Sequence, residues 1–182
     1  LGHGLGFLGS GDVSGGNGFV GFGGNPLIYD VFVENQGGTA ITSFTSGTSA
    51  LATQLQGDQL YWDGTEGVAN NGGSRPRLYA PNPYQGGSSY SHLREGTYPA
   101  GNVNSLMTPQ LGTAEANHNP GPIVEGMFAD MGWAVGGCTI ENVTVNSVGD
   151  CNQGTNTYNT SITIEYIAEP SGLLNINGNL YT

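Results

Sequence analysis

Apolar positions along this chain fall in short runs broken by glycine, with two stretches that repeat at helical spacing and two that alternate. Residues 48–56 place Leu51 and Leu55 four apart before Gly57, the spacing of one short helix and its stop. Residues 122–131 are a stronger helix. Pro122 stands at the entrance, Ile123, Met127 and Met131 share one face, and Gly132 follows the end, with Trp133 expected to pack against it. Residues 1–9 read as the finish of a helix stopped by glycines. Residues 28–33 and 59–62 read as strands, the second closed by a turn at Asp63-Gly64. Residues 9–24 and 86–109 read as loop, and Pro81-Asn82-Pro83 as a stiff connection.

The pattern changes after Gly136-Gly137. Residues 139–148 and 158–167 are rich in β-branched side chains and alternate at period two. Residues 173–176 continue the theme after a turn at Pro170-Ser171-Gly172. The expected class is α+β, with a loop-rich first domain over residues 1–135. Residues 136–182 are expected to begin an all-β Ig-like or fibronectin-like sandwich, cut short of the roughly seven strands such a fold needs.

Composition narrows the partners. The 182 residues include 33 glycines and no lysine, and the net charge is -11, with Arg75, Arg77 and Arg94 the only basic side chains besides three histidines. Nucleic acid and anionic membranes both require a positive footprint, so neither is an expected partner. No apolar run approaches the roughly 18 residues of a transmembrane helix. Few charges, many small polar residues and a cysteine pair suit an extracellular protein. Cys138 and Cys151, thirteen apart, are candidates for a bridge across a short loop.

The chemistry rests on three residues. His3 follows Leu1-Gly2 and precedes Gly4-Leu5-Gly6-Phe7. Read as the second histidine of H-E-x-x-H, it is a zinc ligand, with the first histidine and the general-base glutamate expected upstream of Leu1. A hydrolytic zinc site takes three protein ligands. Of the two remaining histidines, His92 precedes Ser105-Leu106-Met107-Thr108-Pro109, whereas His118 follows it in a polar turn. A histidine ahead of a tight turn bearing Met is the order found in metzincins, where the thioether floors the metal site. His92 is therefore the expected ligand and Met107 the Met-turn residue.

In this order of motifs the chain resembles the leishmanolysin-like branch of metzincin zinc metallopeptidases. That branch follows H-E-x-x-H-x-x-G-F with a long insertion, a distant histidine and then the Met-turn. Gly9 occupies the place of the third histidine in the compact metzincin motif and sets that version aside. Residues 78–92 and the closing Asp130-Met131-Gly132-Trp133 also look like secreted bacterial proteins of this kind.

The resemblance implies an incomplete zincin catalytic domain and a Zn²⁺ cofactor. It further implies a secreted metalloendopeptidase that cleaves protein or peptide substrates through zinc-activated water. Without its upstream histidine and glutamate the chain itself is expected to be inactive. The alternative is a non-catalytic extracellular adhesion or carbohydrate-binding module using Tyr61, Trp62, Tyr79, Tyr84 and Tyr90.

Overall fold

The computed structural model describes residues 2–133, 139–167, 174–176 and 179–181. It is a mixed α+β, loop-rich structure with short helices and small two-stranded antiparallel sheets. The chain divides into two compact units, Leu1–Val135 and Gly136–Thr182.

In the first unit, a hairpin of β1 (Asp12–Ser14) and β2 (Asn17–Phe19) turns at Gly15-Gly16, both at positive φ. This corrects the expected featureless loop: two left-handed glycines are what a tight hairpin turn requires. The expected strand over 28–33 is also corrected. Ile28–Val31 is a helical turn (α1), and only Val33–Asn35 is strand (β3). The buried Asp30 carboxylate accepts the Leu27 N–H at 2.7 Å and the Ser10 N–H at 2.8 Å. That local bonding overrides the β preference of the branched residues.

Helix α2 (Ser49–Leu55) forms where expected, capped by Thr48, whose hydroxyl accepts the Leu51 N–H. Strand β4 (Leu60–Trp62) follows and pairs with β3, Val33 facing Trp62. The Asp63-Gly64 turn opens instead into a helix, α3 (Thr65–Asn70). Its first N–H groups have a distant acceptor: Asp130 takes Glu66 N at 2.8 Å, Gly67 N at 2.9 Å and the Trp62 indole at 2.8 Å. Asp130 ends helix α4 (Pro122–Asp130), which carries proline at its first turn. Gly132, at φ 94°, then closes a Schellman motif, with Trp133 N bonding Phe128 O and Gly132 N bonding Ala129 O. Trp133 packs edge-on against Phe128, as the sequence suggests.

The core of this unit gathers Phe7, Tyr29, Trp62, Leu78, Tyr90, Leu93, Met107 and the inner face of α4. A run of backbone pairings crosses it. β3 pairs with β4, Tyr61 bridges Arg77, Leu78 bridges Leu93, and Leu93 N bonds Met107 O at 2.8 Å. This ladder sets the segment bearing His92 beside the one bearing Met107.

In the second unit β5 (Thr139–Val148) pairs antiparallel with β6 (Thr160–Ile167), and β7 (Leu174–Ile176) with β8 (Asn179–Tyr181). Val143 and Val145 stand opposite Ile164 and Ile162, whereas Asn142 and Thr144 stand opposite Glu165 and Thr163. The hairpin thus has an apolar and a polar face, and Val143, Val145 and Ile162 are exposed. Cys138 lies outside the described residues, and with it the proposed bridge; Cys151 is exposed.

Candidate metal centre

His3 opens a single 3₁₀ turn, His3–Leu5, stopped by Gly6 at φ 97°. Left-handed backbone is free to glycine and costly to other residues, so Gly6 reverses the chain without strain. The reversal drops Phe7 into the core, edge-on to Tyr29 at 5.3 Å between ring centroids. It also returns the Phe7 carbonyl to the His3 ring, whose Nδ1 lies 2.6 Å from it. The Gly-Phe pair after the histidine therefore both ends the helix turn and orients the imidazole.

His92 arrives from the other side of the unit. Its Nδ1 lies 2.7 Å from the Ser88 carbonyl, and Tyr79 N bonds its own carbonyl at 2.8 Å. The two Nε2 atoms stand 3.3 Å apart, with the rings edge-on at 4.8 Å between centroids. A carbonyl can only accept, so each Nδ1 carries a hydrogen, and in a neutral imidazole the Nε2 then presents a lone pair. Two lone pairs face each other, an arrangement that is repulsive unless a cation lies between them. Two nitrogens bound at 2.0–2.1 Å to one tetrahedral ion stand about 3.3 Å apart. The pair thus fits the expected Zn²⁺, and the carbonyl anchors are the outer partners that metal-binding histidines use.

The electrostatics suit a ligand. Burial lowers the His92 pKa, opposed by the hydrogen bond to Ser88 and assisted by His3. The imidazole is therefore neutral at neutral pH, the form that binds metal.

Met107 closes the 3₁₀ turn Ser105–Met107 and is nearly buried. A Cβ added to Gly2 would lie 2.7 Å from its sulfur and 3.0 Å from its methyl. The thioether therefore packs directly against the backbone before His3, in space that only glycine leaves. His118 is exposed and does not join the pair; among the described residues no group of three or more His, Cys, Asp or Glu surrounds one point.

Sequence reasoning did not identify the residues that join the two histidine segments. Gly9 N–H donates to Ser91 Oγ at 3.0 Å. The Tyr90 ring lies on Gly9 and Gly11, where added Cβ atoms would stand 2.2 and 2.7 Å from its carbons. Tyr90 itself is fully buried at φ 73°, a left-handed conformation costing a non-glycine residue about 1–2 kcal/mol. Its carbonyl accepts the Tyr29 hydroxyl at 3.0 Å and its N–H donates to Tyr79 O at 2.7 Å. Gly9 appears in the sequence only as a missing ligand, whereas in the fold it is the floor under Tyr90.

The five aromatics of the adhesion alternative do not make one exposed face: Trp62 and Tyr90 are core residues and Tyr61, Tyr79 and Tyr84 are half-buried. No model of a known protein family matches the chain, and no curated protein or solved structure does.

Proposed function

We propose that residues 1–135 form the C-terminal part of the catalytic domain of a secreted zinc metallopeptidase similar to the leishmanolysin-like metzincins. Residues 136–182 then begin a β-sandwich. The observation that carries the reading is the 3.3 Å approach of two carbonyl-anchored imidazoles from positions 89 residues apart, with Met107 packed against Gly2, the residue before His3. In support of the sandwich, the β5–β6 hairpin has an exposed apolar face, and such a face is stable only when a second layer covers it.

In the parent protein His3 and His92 hold Zn²⁺ together with a histidine that precedes Leu1, and a glutamate beside that histidine is the general base. When bound, the ion supplies Lewis-acid activation of water and of the peptide carbonyl. Gly6 and Phe7 fix the His3 ring, the Ser88 carbonyl fixes that of His92, and Met107 packs against the backbone at Gly2, next to His3.

The decisive test is to read the coding sequence immediately before Leu1 and express the extended chain. His-Glu is expected there, with chelator-sensitive peptide hydrolysis that His92→Ala abolishes. Any other pair of residues overturns the reading. The present chain offers two ligands, so its zinc binding should fall well short of the roughly 10–16 kcal/mol of complete structural sites. Tight one-to-one binding in a calorimetric titration would contradict the ligand set.

A further inference from the structure

We propose that Tyr90 and Ser91 are positioning residues of the His3–His92 pair: packed on Gly9 and Gly11, they set the separation of the two imidazoles. This rests on the metal-centre reading above.

Three observations converge. Tyr90 takes a left-handed backbone that its residue type disfavours, and such outliers persist only where the surroundings impose them. Here the surroundings are explicit. The Tyr79 carbonyl holds the Tyr90 N–H, the Tyr29 hydroxyl holds its carbonyl, and the bare backbone of Gly9 and Gly11 receives its ring. Next in the chain, Ser91 is buried and its hydroxyl accepts the Gly9 N–H. His92 follows at once.

Each histidine is oriented by a carbonyl four residues away in its own segment, Phe7 for His3 and Ser88 for His92. Neither of those bonds fixes the distance between the segments. The Gly9–Ser91 hydrogen bond and the Tyr90 ring on Gly9 do span the two, with Gly9 six residues after His3 and Tyr90 and Ser91 two and one before His92. A twisted tyrosine backbone, a stitched serine and an unsubstituted glycine together bring one histidine to the other.

The test uses the full chain, uniformly ¹⁵N-labelled, with Zn²⁺ added alone and imidazole resonances followed well below the unfolding midpoint. In the parent chain His3 and His92 should shift together with one midpoint. Gly9→Ala drives a methyl group into the Tyr90 ring. In the folded variant the shared midpoint should move to at least about tenfold higher zinc, the scale at which outer partners affect metal affinity. Ser91→Ala should weaken binding in the same direction, and Ser91→Thr, which keeps the hydroxyl, should restore it. These affinities are read on folded protein, so a purely structural role would lower the unfolding midpoint and leave them unchanged.

Separate midpoints, or no zinc response, for the two histidines of the parent chain would overturn the metal-centre reading and this inference with it. A shared midpoint that neither Ser91→Ala nor a folded Gly9→Ala alters would overturn the positioning role alone. If Gly9→Ala does not fold, the Ser91 pair decides.

Discussion

The Nε2 atom of His3 lies 3.3 Å from that of His92, while the opposite nitrogen of each ring is fixed on a main-chain carbonyl. Each imidazole is thereby held as the tautomer whose lone pair points at the other. Burial, more than His3, lowers the His92 pKa, so the unfolded chain binds a proton at this residue more readily than the folded one. Where the unfolded state binds more protons, stability rises with pH. The contribution is fully present above the unfolded value of roughly 6.5 and is lost as pH falls through the lower folded value. Urea midpoints measured from pH 7.5 to 5.5 should decline on acidification, and His92→Ala should flatten that decline. A parent profile that is level or rises toward pH 5.5 would contradict the neutral, half-buried ring.

Gly2 and Met107 should be energetically coupled. A methyl group at Gly2 meets the thioether at 2.7 Å, but the thioether is the end of a flexible side chain and has room to yield. Gly2→Ala should cost about 1 kcal/mol by overpacking, and Met107→Ala about 2–3 kcal/mol through its cavity. The double variant should be more stable than the sum predicts, because the added methyl occupies part of that cavity. Denaturant unfolding of the four proteins gives the coupling, and strict additivity would mean that the two residues do not touch.

Asp130 supports three donors on two elements: the Trp62 indole and the first N–H groups of α3. Asp130→Ala leaves a fully buried indole N–H without an acceptor and should cost about 2–4 kcal/mol. Asp130→Asn should fall between. Its remaining oxygen can keep Trp62 and Gly67, whereas its amide N–H₂ then faces the Glu66 N–H. Thermal unfolding with Trp62 fluorescence reports both, and a parent-like Asp130→Ala would show that α3 needs no outside cap.

Among the described residues the Tyr90 hydroxyl is buried with no partner in hydrogen-bonding geometry, although the Asp30 carboxylate acts on it. Tyr90→Phe keeps the ring on the glycines and removes only that oxygen, so it should leave stability unchanged or raise it by about 1 kcal/mol. A loss of more than about 1 kcal/mol in chemical denaturation would show that the oxygen has a partner.

Elements governed by neighbours in sequence were legible in it. The Thr48 cap and the Leu51/Leu55 spacing mark α2, Pro122 and Gly132 bracket α4, the short run before Asp63-Gly64 marks β4, and alternation marks β5 and β6. Elements governed by distant partners were not. α3 includes Thr65, Gly67, Val68 and Asn70, poor helix formers, and its first N–H groups bond Asp130, 64 residues beyond Glu66. The strand-like run from Ile28 yields its first turn to the Asp30 carboxylate and its bond to Ser10, 20 residues back. For the candidate site, motif order suggested His3, His92 and Met107. It gave no hint of Tyr90, Ser91 or Gly2, because their roles lie in contacts across the fold and not in their residue types.

The ladder that carries His92 has a consequence for insertions. Along an extended segment, side chains alternate between two sides. Leu93 is fully buried, and the adjacent His92 turns to the other side, toward His3. The direction of the ligand is therefore a matter of parity. One residue added between Tyr90 and Leu93 would exchange the two, sending an imidazole into the core and a leucine to the metal. Residues added to the loop from Asn82 to Gly87, which the Tyr79–Tyr90 hydrogen bond closes, leave the parity as it stands. The site tolerates growth around its rim and none within its last rung.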